Sequence, residues 1–327
     1  MSRPLPTFFD QALDAAIQAP SPHNTQPWRF VVGDDHVEVW LDPGRVLPVA
    51  DPDAHEARLA CGAALLNFVV SLRASGKRPA VRLVPDKDRA DLLAVVRIIG
   101  DRESSLSDRK LEKAVHLRHT NRRPFLDQEV PPGARSSLAN AASDEGGLLE
   151  FLDPSAKYDA VARLVRRAEV LQSTEPEFVA EAARWTHREP DSPDGVPHTA
   201  AGPPPEYTAA IALRESHSDP ALPPRPFEQQ PLLAAVCTRG QGIHAEVQGG
   251  MVMQRVLLTA TSIGLATSFL SQPFETPSTR SVLDDLFRWA GKAHTLLRIG
   301  YGFPAPVTAR RPVSEVASHH DGPVRSG

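Results

Sequence analysis

The two cysteines among 327 residues, Cys61 and Cys237, are too few for a disulfide scaffold or a zinc site. Both lie in apolar stretches far apart in the chain, which predicts a reducing, cytoplasmic setting. Charge of one sign is also missing. The net charge of −4 sets up no global field towards nucleic acid or an anionic membrane, so a bound anion needs a local basic cluster. No run of about 18 apolar residues is present, which predicts no membrane span. The start, MSRPLPTFFDQALDAAIQAP, lacks the apolar core and cleavage site of a signal peptide. No G-x-G-x-x-G follows a strand, and neither G-x-x-x-x-G-K-[ST] nor G-x-S-x-G occurs. HEARL is not H-E-x-x-H, and the S-x-x-K of Ser107 to Lys110 is a chance match in a charged stretch. His319-His320 falls in an expected unstructured tail.

What is present is an ordinary globular composition, 41% hydrophobic and 23% charged, long enough for two units of ~150 residues. Phe9, Ala12, Leu13, Ala16 and Ile17 recur at helical spacing until Pro20. WRFVVGDDHVEVWL reads as a β-hairpin turning at Gly33-Asp34-Asp35. The helix predicted from His55 to Ser75 is apolar nearly all round, hence packed on every face and central. Gly76 ends it, and AVRLV reads as a strand. LEKAVHLRHTNRRPF opens a second start, followed by strand LLEFLD, a helix from Tyr158 to Leu171, and a second all-apolar helix, MVMQRVLLTATSI. LATSFL and HTLLRIGYGF read as strands. The order helix, loop, strand, central helix, Gly, strand therefore occurs twice. This predicts an α+β fold of two fused, related α/β/α units, residues 1–105 and 106–317, with a tail at 318–327. Residues 185–231 carry eleven prolines, including Pro203-Pro204-Pro205. An insertion of that kind is a lid, a binding loop or a floppy segment.

Three stretches could carry chemistry. In APSPHNTQPWRF, Ser21, His23, Asn24 and Gln26 sit in a loop stiffened by Pro20, Pro22 and Pro27. Amide and hydroxyl groups held still suit a heteroaromatic ring edge, although Pro, Ser and Asn favour plain turns too. In RHTNRRPF, Arg118, His119, Thr120 and Arg122 offer charge-assisted bonds to a phosphate, each worth about 1.5–3 kcal/mol. Standing alone, the same string is a solvated basic face. In RIGYGFPAPVTARRP, Arg310 and Arg311 follow a strand and a glycine turn.

The first string resembles the S-x-x-N-x-Q-P-W pattern of FMN-dependent nitroreductases, and RHTNRRPF resembles their R-x-S-x-[RK] phosphate motif. By that resemblance Arg118 and Thr120 bind phosphate or ribityl, Arg122 faces the N1–C2=O edge, and Arg310 and Arg311 return to the phosphate. GLATSFL resembles the segment facing flavin N5, which makes Thr267 and Ser268 candidates for a hydrogen bond there. Each half keeps the motif that the other lacks, so one complete site is expected, with one FMN per chain. This division, the length and the Pro-rich insertion resemble the Acg-type branch, a tandem single-chain pseudo-dimer with a nitroreductase-like fold.

The resemblance implies an NAD(P)H-dependent FMN oxidoreductase acting on a nitroaromatic, quinone or similar small acceptor. The cofactor carries the chemistry, and no side chain is singled out as catalytic. Two alternatives remain: a flavin-sequestering or redox-sensing protein under a closed lid, and a specialised flavin oxidase. Fusion makes a monomer plausible, with a homodimer open.

Overall fold

The computed structural model describes residues 7–206, 211 and 213–319. The chain begins with α1 (Thr7–Ala16), β1 (Trp28–Val32), β2 (His36–Leu41), α2 (His55–Ala74), β3 (Lys77–Leu83) and β4 (Leu92–Asp101). Next come α3 (Leu106–Leu117), α4 (Pro132–Asp144), β5 (Leu148–Leu152), α5 (Ala156–Thr174) and α6 (Pro176–Trp185). The insertion holds the short β6 (Thr186–Arg188) and β7 (Val196–Pro197). After it run β8 (Leu232–Thr238), α7 (Gly242–Ser262), β9 (Ala266–Phe269), α8 (Gln272–Glu275), α9 (Pro277–Phe287), β10 (Lys292–Gly300), α10 (Val313–Val316) and β11 (Ala317–His319).

Two sheets result, in the orders β11-β1-β2-β4-β3 and β5-β8-β10-β9. They fall on either side of residue 105, except that β11 crosses back to pair in parallel with β1, Phe30 opposite Ala317. Ser318 and His319, expected in an unstructured tail, are thus a sheet edge; residues 320–327 lie outside the described residues. The expected hairpin forms as β1–β2, Trp28 opposite Leu41.

Between the sheets, α2 and α7 cross at their glycines. A Cβ on Gly62 would lie 2.1 Å from the Val247 carbonyl oxygen, and one on Gly250 would lie 2.1 Å from that of Leu59. Only hydrogen at those positions lets the two backbones touch, and α2 is buried along most of its length while α7 buries its apolar side. Gln254 Nε2 donates to Asn67 Oδ1 at 2.7 Å, and Asn67 Nδ2 to the Ala15 carbonyl, so the polar groups at the crossing pair with each other and with α1. One continuous core runs from Phe9, Trp28 and Phe68 on one side to Leu149, Val236 and Leu297 on the other. By length and composition α2 could cross a membrane, but 83% of its most apolar stretch is buried inside the protein, where it forms the centre of the core.

Candidate functional site

Pro20 ends the first helical segment, and the chain then makes a tight loop in which His23, Asn24 and Gln26 have φ of 45°, 59° and 53°. Three side-chain-bearing residues in the left-handed region within four positions is a strained arrangement, held by its surroundings. Ser21 Oγ accepts from the Gln26 N–H at 2.9 Å. Gln26 Nε2 donates to the Pro193 carbonyl at 2.7 Å, and its Oε1 accepts from the Arg311 N–H at 2.9 Å. Asn24 Nδ2 donates to the carbonyls of Gly195 and Ala309, both at 3.1 Å, and Asn24 Oδ1 is buried without a partner among the described residues. The early loop, the insertion and the last segment thus meet here.

Beside this loop lies the basic cluster. Arg118 follows the end of α3, and Nη2 of both Arg118 and Arg310 lies 3.4 Å from the Gln18 carbonyl oxygen. Arg118 is 3% exposed, and among the described residues its Nε and Nη1 have no partner; the same holds for Nε of Arg122 and Arg310. Among the described residues none of these three guanidinium groups reaches a carboxylate; their contacts are carbonyl oxygens and the Thr308 hydroxyl. Burial, and then repulsion from Arg310 and Arg122, lower Arg118 to about 9; burial and the charge of Arg122 lower Arg310 to about 10. Burial and the charge of Arg214 lower Arg122 to about 10. His119 falls to about 4 through burial and the neighbouring Arg118 and Arg310. Arg311 Nε donates to Glu315 at 3.2 Å, while its Nη1 is buried with no partner among the described residues.

A buried cation stable in the folded state ordinarily has an anion beside it. Arg118, buried, and Arg122 and Arg310, half-buried, each with an orphaned nitrogen, fit a phosphate supplied from outside the chain. Asn24 touches Ala309, whose neighbour Arg310 shares the Gln18 carbonyl with Arg118, so amide loop and basic cluster stand one residue apart.

Arg122 and Thr120 also line a cavity of about 980 Å³, its open mouth included. Thr120 bridges to Thr267, and the Thr267 carbonyl accepts from the Asn121 N–H at 2.9 Å, which brings Ser268 and Phe269 to the cavity wall beside Ser21 and His23. Leu59, Ala60 and Met253 from the crossing helices supply an apolar floor.

Sequence reading had given the insertion no residues in the site, yet Pro203, Leu213, Arg214, His217 and Ser218 form one wall. His217 Nε2 lies 3.0 Å from His23 Nδ1, a hydrogen bond in which one ring donates. Burial, with nearby arginines, lowers His23 to about 3 and holds His217 well below its ordinary range, so both rings are neutral near pH 7. Asp194 ties the insertion to Arg45 at 3.1 Å. Behind the wall, Arg214 Nη2 donates to Glu275 Oε1 at 2.6 Å, and Glu56 faces the same space. No local motif marks these residues. They meet only through tertiary structure.

No family model matches the chain. A Mycobacterium tuberculosis protein provisionally named an NAD(P)H nitroreductase is 32% identical over 316 residues, covering 93% of this chain and 89% of that relative. A second, provisionally named NAD(P)H nitroreductase Acg and also from M. tuberculosis, is 27% identical over 311 residues, 93% of each chain. Among solved structures, a nitroreductase with bound FMN from Bacteroides fragilis aligns with a TM-score of 0.38 at 14% identity, covering 62% of this chain and 92% of that one.

Proposed function

The chain belongs to the nitroreductase superfamily, in the branch that includes Acg, and from that premise we propose that it holds one FMN at the seam of its two halves and uses NAD(P)H to reduce a small planar acceptor. The observation that carries this reading is the group of three arginines, Arg118 buried and Arg122 and Arg310 half-buried, that meet no carboxylate among the described residues, with Arg122 lining a cavity that the early loop also lines. Bound there, FMN would supply hydride exchange with NAD(P)H and two-electron delivery to the acceptor. Arg118, Arg310 and Thr120 hold the phosphate end. Arg122, which lines the cavity, sets a fixed positive charge that favours negative charge on the ring. Ser21, His23, Thr267 and Ser268 supply short polar groups along the ring edge. Asn24 and Gln26 hold the loop in its left-handed turns and bind it to residues 193–195 and 309–311, with only Asn24 Oδ1 left over for a ligand.

The purified protein is expected to release one FMN per chain on denaturation, and Arg118→Ala to lose most of it. Two FMN per chain, or full occupancy in the variant, would contradict the single divided site. Mixing with NADH or NADPH without oxygen should bleach the flavin.

A second reading draws on the insertion. Its contacts to Asn24, Gln26, Arg45 and His23 lay it along the cavity as a cover, and a cover that stays shut makes a sequestering or redox-sensing protein. Flavin that is present but not reduced by NAD(P)H would select this reading.

A further inference from the structure

The main cavity shares two of its lining residues, Glu56 and Glu275, with a second pocket of about 680 Å³ lined also by Asp51, Asp53, His55, Arg280 and Asp284. That outer pocket meets solvent, since the Asp53 side chain is 79% exposed. Glu275 is fully engaged: it accepts from Arg214, the Ser271 hydroxyl and Gln172. Glu56, in the first turn of α2, receives no side-chain donor among the described residues. The charges facing it are Asp51 from the preceding loop, Glu275 from α8, Arg214 from the insertion and Arg280 from α9. Arg214 is already paired with Glu275, and Arg280 lies 3.8 Å from Asp53. The neighbourhood therefore carries more carboxyl groups than free cations.

We propose that Glu56 is the proton donor of the main cavity, giving its proton to the acceptor as that acceptor is reduced and regaining one from solvent through the outer pocket. This rests on the oxidoreductase reading above. Two-electron reduction of a quinone-type acceptor adds a hydride equivalent, drawn from NAD(P)H through the bound cofactor, and one proton on a carbonyl oxygen. The O–H bond of Glu56 breaks as the O–H bond on the acceptor forms, leaving a carboxylate that faces Arg214. Burial first, then repulsion from Glu275 and Asp51, raise Glu56 well above the usual carboxylate range, which keeps it loaded near neutral pH. Asp51, raised to about 6 by its own burial, sits in the outer pocket as the next carrier.

The test separates proton from electron transfer. Glu56→Gln is first reduced with NADH, then mixed with either a quinone or ferricyanide, which takes electrons without a proton. Reoxidation by quinone should slow by roughly 10²-fold or more, with ferricyanide and the NADH step unchanged. Equal slowing with both acceptors, or no slowing, overturns the proposal. A protein that NADH fails to reduce sinks the activity reading instead. Should the variant not fold, carbon-13 labelling of glutamate carboxyls in the wild-type protein, without acceptor or nucleotide, still decides: a Glu56 resonance titrating in the ordinary carboxylate range overturns the assignment.

Discussion

Arg118 loses its hydration on burial, two of its nitrogens recover no partner among the described residues, and Arg310 and Arg122 add repulsion. Each unsatisfied buried donor costs about 1–3 kcal/mol, so in the absence of a ligand the residue opposes folding. Arg118→Met removes those donors and keeps much of the apolar stem. It should raise the urea midpoint of FMN-free protein while abolishing the stabilisation that added FMN gives the wild type by mass action. A variant less stable without FMN, yet stabilised by FMN as before, would show that Arg118 serves the fold and not an anion. The residues of this cluster were legible because charge-assisted donors gather in a short string, RHTNRRPF, and a basic pair closes the chain. Arg214, His217, Glu56 and Glu275 were not, since each is an ordinary polar residue until folding sets it against the cavity. His217 pairs with a residue 194 positions away. Arg311, a neighbour of Arg310 in sequence, pairs its Nε with Glu315 four positions ahead and keeps a buried Nη1 without a partner among the described residues.

At the next scale the crossing of α2 and α7 depends on two absent methyl groups. In Gly250→Ala the new Cβ meets the Leu59 carbonyl oxygen, which belongs to a helix backbone and cannot yield as a side chain would. The helices must part along a core shared by both halves, and the expected loss is about 3 kcal/mol or more in chemical denaturation, beyond ordinary overpacking. A loss under about 1 kcal/mol would mean that the crossing gives way freely. The insertion is held by weaker ties. Asp194 accepts from both Arg45 and Arg188, so Asp194→Asn should loosen residues 193–195 over the early loop and speed flavin reduction by NAD(P)H if the cover gates access; an unchanged rate would place the gate elsewhere. The two central helices and the β1–β2 hairpin were readable from composition and turn residues alone. Strands β4 and β8 were not: β4 follows a charged stretch and is exposed over its second half, while β8, LLAAVCT, is buried almost throughout and shows no alternation. The return of β11 to β1 is invisible locally, because three residues of ASH carry no strand signal without the β1 edge beside them.

The whole molecule records its buried charges in its response to acid. His23 and His294 are lowered to about 3, His119 to about 4, and His217 well below 6.5, in each case first by burial. The unfolded chain protonates these rings near 6.5 and the folded chain does not, so below that pH each draws stability down by up to about 1.4 kcal/mol per pH unit. Four carboxyls act in the opposite sense. Asp51 is raised to about 6 by burial, and Glu56, Glu112 and Glu145 are also raised, so the folded state takes up their protons first and gains stability as the pH falls. Between about 6 and 4.5 the two sets oppose one another. Below about 4 the carboxyl gain is exhausted, and Glu246, held at about 2 by His55 and Arg58 against its burial, with Asp108 held low by Ser105 and Arg102, adds to the loss. The free energy of urea unfolding should therefore fall less steeply from pH 6 to 4.5 than it does below 4. Asp51→Asn removes one opposing proton and should steepen the upper part of the curve. A wild-type curve already steep between pH 6 and 5, unaltered by that substitution, would mean that these carboxyls stay ionised in the folded protein, and the proton store proposed around Glu56 would go with them.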